Sequence, residues 1–152
     1  MKQIRIKVNK IIERFLVLIL LGMVLNVIWQ VFTRFFTSSP SAFTNELARY
    51  LMIWLGILGA AYISGKQEHV AIDFFVKKLN NSLRRFIDRF VLLSILSFAF
   101  FVMIIGGINL VYITLNLEQY SPSLQIPLAL VYSIIPISGL LIIFYKVTQE
   151  KS

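Results

Sequence analysis

The chain has 152 residues, 58% of them hydrophobic and 14% charged, with a mean hydropathy of +0.80. Soluble domains run at about 45–50% apolar and 25% charged, so a water-soluble globule is a poor fit. Fifteen Lys and Arg against seven Asp and Glu give a formal charge of +8, with no cysteine and one histidine, His69; disulfides, iron–sulfur clusters, thiol catalysis and an ordinary zinc site are thereby excluded.

A membrane-spanning helix needs about 20 apolar residues, because the hydrocarbon core is about 30 Å thick and a helix rises about 1.5 Å per residue. Charge-free runs cover residues 15–33, 90–117 and 119–145, each long enough to cross alone, and a shorter run covers 50–65. The shorter run predicts a second helix that continues back through Arg49 and Glu46 toward Pro40. Five basic residues precede the first run, as they would in a secretory signal. A signal core is usually about 7–15 residues with small residues at a cleavage site; this run is longer and lacks such a site, so a retained helix is expected.

The expected fold is an all-α integral membrane protein, a single four-helix membrane domain over residues 1–152. Its spans are placed at about 15–36, 42–65, 88–115 and 126–146, with an amphipathic interfacial helix at about 73–87 between the second and third. In that helix Phe75, Leu79, Leu83, Phe86 and Phe90 recur on one side, while Lys77, Lys78, Asn81, Arg84, Arg85 and Asp88 share the other. Asp73 is placed to cap it. A helix of this kind lies in the headgroup plane, where each Lys or Arg is worth about 1 kcal/mol against anionic lipid. Lys77, Lys78, Arg84 and Arg85 are therefore the candidate headgroup contacts; the alternative is a solvated linker helix.

Proline falls where spans should start, at Pro40 and Pro127, since the first helical turn does not need its missing amide. Pro136 is expected to kink the fourth span. Ser39-Pro40-Ser41 and Ser121-Pro122-Ser123 follow the odd-numbered spans at equivalent places, a weak hint of duplicated hairpins.

Thirteen of the fifteen basic residues fall on one side of this arrangement: five in residues 1–14, six in 64–89, and Lys146 and Lys151. Lys and Arg are retained in cytoplasmic segments, so both termini and the central loop are expected in the cytoplasm, with residues 34–43 and 116–126 outside. The surplus charge reports topology and lipid contact rather than nucleic acid.

Glu46 and Arg49 are the charges with a claim to the bilayer. Three residues apart on a helix, they can pair. Ionisable groups in spans are functional candidates as proton relays, substrate ligands or partner contacts; the plainer reading is an interfacial pair that snorkels to water. Gly56, Gly59, Ala60 and Ala61 let another helix approach closely, either within this chain or from another subunit, and Gly22, Gly106 and Gly107 carry the same two readings. His69 has no metal-ligand companion. Paired carboxylates, a phosphate loop and a nucleophile with its base are missing from the sequence, so no enzyme activity is expected.

Asn45-Glu46-Leu47-Ala48-Arg49-Tyr50, followed by Trp54-Leu55-Gly56 and Gly59-Ala60-Ala61, resembles the second span of the small membrane (Q) subunits of tripartite ATP-independent periplasmic (TRAP) transporters. Gly65, Glu68-His69-Val70 and Asp73 are similar to that family's central loop. Gln119, Ser121-Pro122, Ile126-Pro127, Val131-Tyr132, Pro136 and Ser138-Gly139 are similar to its last motif. Asn45 stands where the family often has an acid. The resemblance implies a multi-pass protein of the bacterial inner membrane with no cofactor of its own. It implies two protein partners. One is a large multispan permease subunit that holds the substrate and sodium sites and slides within an immobile scaffold. The other is a periplasmic protein that delivers an organic acid of the sialic acid or C4-dicarboxylate class. This chain would brace the scaffold, with Glu46, Arg49, Gly56, Gly59 and Ala60 as candidate packing or partner contacts and outer loops expected to help dock the binding protein. Two other readings stand beside it: a small homodimeric proton-coupled exporter with Glu46 as its ligand, and a lipid-acting enzyme using His69 and Asp73.

Overall fold

The structure is a computed structural model that describes residues 2–36, 42–66 and 81–149. All regular secondary structure among these residues is helical. Helix α1 spans Lys2–Phe36 and α2 spans Ala42–Gly65. The third span is composite: α3 (Asn81–Ser97), a π-helical segment (Phe98–Gly106) and α4 (Gly107–Asn116). The fourth is α5 (Leu128–Tyr132) followed by α6 (Ile134–Gln149). Four stretches are long and apolar enough to cross a membrane: Gln3–Phe36, Ala42–Gly65, Arg85–Asn116 and Leu128–Thr148.

Helix α1 takes in the basic segment as well as the apolar one, because no glycine or proline occurs before Gly22 to stop it. At 35 residues it is about 50 Å long, well beyond the bilayer core. The expected interfacial helix is not seen as a separate element. Its residues 73–80, with Asp73, Lys77 and Lys78, lie outside the described residues, as do Pro40, His69 and Ser39-Pro40-Ser41. Its second half, with Arg84 and Arg85, belongs to α3, which runs unbroken into the third span. With no helix breaker between Asn81 and Gly106, continuing one helix is the easier course.

The helices pack as an open row. Helix α1 lies on α2, α2 on α6, and α6 on the π segment. Ile12, Leu58, Ile134 and Tyr145 form the buried centre, with Val8, Leu16 and Trp54 packed against it. Nine apolar residues among those described are buried whereas forty large ones are exposed. That inversion of the soluble pattern suits lipid as the solvent, and it leaves helix contacts to shape and hydrogen bonding.

Three glycines set the close approaches. A Cβ on Gly65 would lie 2.7 Å from the ring of Tyr145, which is fully buried. One on Gly107 would lie 2.9 Å from Pro136 Cδ, and one on Gly139 would lie 2.9 Å from Met103 Cβ and 3.1 Å from the carbonyl of Ala99. The π segment is wider than an α-helix and meets the fourth span where Gly139 makes room. Pro136 acts upstream of itself: it cannot donate to the carbonyl of Tyr132, and the helix is interrupted at Ser133.

Candidate functional site: the two faces of the second helix

One face of α2 is taken up by the fold along its whole length. At its start, Asn26 Nδ2 of α1 donates to the carbonyl of Thr44 at 2.8 Å, and both residues are buried. Two residues on, the Glu46 carboxylate reaches the loop between the third and fourth spans. Its Oε2 accepts from the Ser121 hydroxyl and from the backbone amides of Ser123 and Leu124, both at 3.1 Å. Ser121 Oγ in turn accepts from the Leu124 amide at 3.3 Å. A carboxylate bound by converging donors in this way is stabilised in its charged form. Further along, Trp54 Nε1 donates to the carbonyl of Val131 at 3.0 Å, fixing α2 against α5. Leu58 and Ala61 are buried, and Gly65 closes on Tyr145.

The end of the row that carries the termini is tied by a second polar cluster. Arg5 donates to the carbonyl of Gly65, satisfying an orphan group at the C-terminus of α2. The Tyr62 hydroxyl donates to Glu13, which also pairs with Lys66 at 3.5 Å. The Lys66 ammonium stands 4.7 Å from the centre of the Tyr62 ring. Its hydrogen bond to Tyr62, with the attraction of Tyr62 and Glu13, holds this lysine above the usual range. The Tyr145 hydroxyl donates to Asn9 Oδ1 at 2.7 Å, so α1, α2 and α6 are joined at this level.

Glu46 and Arg49, which can pair by their spacing, form no salt bridge, although the guanidinium still attracts the carboxylate; a salt bridge does join Glu13 and Lys66. Three residues of an α-helix turn through about 300°, leaving side chains about 60° apart, and the loop donors claim the Glu46 carboxylate on one side. Arg49, about 60° further round, is exposed. Below it the same side carries Met52 and Ile63, 61% and 55% exposed, with Gly56, Gly59 and Ala60 between them. A Cβ added at Gly56 or Gly59 would meet nothing within 4 Å. Of the sequence candidates, the structure thus brings Glu46 into the fold and leaves Arg49, Gly56 and Ala60 outside it. Arg85 is exposed on α3.

Ser121, Ser123 and Leu124 were not assigned to Glu46 from sequence; the Ser-Pro-Ser turn after the third span is the one local signal for them. That loop is closely built. Ser121 N donates to Ile126 O at 3.0 Å and Leu128 N to Gln119 O at 2.9 Å, while Glu118 and Gln125 have φ of 45° and 51°. Such left-handed backbone costs a non-glycine residue about 1–3 kcal/mol and persists where the surroundings impose it. A groove of about 510 Å³ opens here beside Tyr120, Ser121, Pro122 and Gln125. A second groove, about 650 Å³, runs between α1 and α2 among Gly22, Leu25, Trp29, Phe32, Phe43 and Leu47. Its lining is apolar save for Asn26, already bonded to Thr44, so it offers no recognition group to a charged solute. Among the described residues no cluster of His, Cys, Asp or Glu could hold a metal ion.

Residues 23–149 match the family model described as tripartite ATP-independent periplasmic transporters, DctQ component. A putative TRAP transporter small permease protein of Haemophilus influenzae is 30% identical over 145 residues, 93% of this chain and 86% of that protein. The C4-dicarboxylate TRAP transporter small permease protein DctQ of Rhodobacter capsulatus is 36% identical over 102 residues, 66% of this chain and 44% of that one. The sialic acid TRAP transporter permease protein SiaT of Haemophilus influenzae is 36% identical over 66 residues, 43% of this chain but 11% of that longer protein.

Proposed function

Since the chain belongs to the DctQ family of TRAP transporter components, we propose that it is the small non-catalytic subunit that braces a large sodium-coupled permease subunit during uptake of an organic acid. The observation that carries this reading is the open row of helices. A solute carrier encloses its site between helices, with polar groups aimed inward. Here α1 and the third span occupy opposite edges of the row, and the polar groups of α2 that meet its neighbours are bonded to them, while the buried Ser138 hydroxyl of α6 has no hydrogen-bond partner among the described residues. A row suits a different task. It adds a broad lipid-anchored wall to a partner, and helices that must resist tilting while another domain slides gain grip from such a wall.

In this reading sodium and substrate bind to the large subunit, and this chain holds no cofactor. The distribution of Lys and Arg supports an orientation in the bacterial inner membrane with both termini in the cytoplasm. The loop held by Glu46 then faces the periplasm, where a substrate-binding protein arrives. The names of the relatives support sialic acid or C4-dicarboxylates as the substrate class. A homodimeric exporter would need the Glu46 carboxylate free to take a proton, whereas loop donors occupy it.

Purification in mild detergent after co-expression with the neighbouring large permease, followed by uptake in vesicles, tests the proposal. The chain is expected to bring down the multispan subunit, and uptake of an organic acid to require both under a sodium gradient. Recovery of this chain alone, or organic-acid transport by it without the larger subunit, would overturn it.

A further inference from the structure

A stripe of cations runs down the outward side of the first four turns of α1. At about 100° per residue, Lys7, Lys10 and Arg14 fall within about 60° of one another, and all three are exposed. Val8, Ile12 and Leu16, which pack into the core, lie about half a turn away round the helix. Arg5 and Asn9 share that inner side and are bonded to the Gly65 carbonyl and the Tyr145 hydroxyl. Lys10 attracts the Glu13 carboxylate, but Glu13 is bound by Tyr62 and Lys66. Neither Lys7 nor Arg14 takes part in a salt bridge among the described residues. Past Arg14 the same side turns apolar, continuing into Val17, Leu18 and Leu21, all exposed; Ile4, Ile6 and Ile11 flank the cations and are exposed too. Water would leave the isoleucines bare, and hydrocarbon would strand the cations. The headgroup layer suits both, because a long basic side chain buries its stem and keeps its charge in the polar zone. Helix α1 cannot lie down in that layer as an amphipathic helix does, since Arg5 and Asn9 hold it upright against α2 and α6.

We propose that this stripe binds an anionic phospholipid, its phosphate held by Lys7, Lys10 and Arg14 and an acyl chain laid along Val17, Leu18 and Leu21. The inference needs the chain to lie in a membrane and does not depend on its part in transport. From Arg14 to Leu21 is about 10 Å along the helix, within the roughly 15 Å of hydrocarbon in one leaflet, so one lipid molecule reaches both parts. The planar guanidinium of Arg14 can grip two phosphate oxygens, and the lysines add compact charges beside it. A zwitterionic headgroup brings its own cation and gains less. A helix of another subunit is a poorer occupant: close packing of helices in lipid uses small residues, and this side of α1 from Gln3 to Leu21 has none. An acidic soluble segment would cover the cations and leave Val17, Leu18 and Leu21 bare.

The full chain in mild detergent, given phosphatidylglycerol, phosphatidylcholine or glycerophosphate in turn, is read by native mass spectrometry. Phosphatidylglycerol is expected to be retained above phosphatidylcholine, and glycerophosphate, which has the charge without the chains, not to be retained. Lys7→Gln, Lys10→Gln and Arg14→Gln together are expected to lower phosphatidylglycerol occupancy by about tenfold or more at an unchanged unfolding temperature. The exchange Lys7→Arg, Lys10→Arg and Arg14→Lys should keep it, as should Arg34→Gln at the other end of α1. Should the triple glutamine change unfold the chain, Arg14→Gln alone, read against Arg34→Gln, carries the same comparison. In native membranes a photo-crosslinking residue at Leu18 is expected to capture lipid. Equal retention of the two lipids, native occupancy after the glutamine changes, an equal loss with Arg34→Gln, retention of glycerophosphate, or capture of a protein subunit from Leu18 would overturn the lipid site.

Discussion

The two faces of α2 are made of similar residues and have opposite fates. Each has a charge near the loop end and a glycine further down. On the closed face Glu46 is bound by a loop 75 residues away in sequence, and Gly65 is pressed against a buried tyrosine. On the open face Arg49 is exposed, and Gly56 has empty space where its Cβ would be. A charge or a glycine in a membrane helix therefore carries no fixed meaning; what lies against it decides whether it builds the fold or serves an external contact. The closed face accounts for the structure of the isolated chain. The open face takes no part in it, which leaves it free for the partner contact proposed for Gly56, Gly59 and Ala60.

Substitutions can break this contrast. The largest expected effect is that of Gly65→Val: its side chain would enter the Tyr145 ring, and overpacking of this severity costs about 3 kcal/mol, read as a fall in the unfolding midpoint of the detergent-solubilised chain. Next, Glu46→Ala removes the acceptor shared by Ser121, Ser123 and Leu124. Amide hydrogen exchange at Ser123 and Leu124 should accelerate strongly, with Glu46→Gln falling between alanine and the native residue. Tyr145→Phe keeps the packing against Gly65 but loses the hydrogen bond to Asn9, a loss of about 1 kcal/mol by the same unfolding measurement. The smallest effect belongs to the open face: Gly56→Ala should stabilise the isolated helix by less than about 1 kcal/mol. If Gly56→Ala proves as damaging as a change at Gly65, the distinction between the faces is wrong.

Much of the framework was readable in the residues. Charge-free runs located four membrane helices, because the bilayer imposes a length that composition reveals. Pro127 stands at the start of the fourth span as its chemistry requires, and Pro136 disturbs that span one turn upstream. The π segment could not be read, since Phe98–Gly106 is uniformly apolar and its winding answers to the space beside Gly139. Nor could the roles of the glycines. Gly56 and Ala60 have the spacing of a packing motif yet are exposed, while Gly65 and Gly139, outside that motif, make the close approaches. Glu46 and Arg49 can pair by spacing, which is local information; the Ser121 loop that binds the Glu46 carboxylate lies 75 residues away in the chain. The polar link from Asn9 to Tyr145 joins residues 136 apart for the same reason. Residues 73–80, with their headgroup candidates Lys77 and Lys78, fall outside the described structure, and their lipid contact stays a proposal.

The contrast between the faces is tested most directly by placing a large side chain on the open one and reading two quantities from the same protein. For Gly56→Leu, the unfolding midpoint of the isolated chain and the yield of the complex with the large permease are measured side by side. The predicted result is an unfolding free energy within about 0.5 kcal/mol of the native chain together with loss of the complex. A destabilised chain would mean that the face is internal after all, and a complex recovered at the native yield would mean that the partner docks elsewhere.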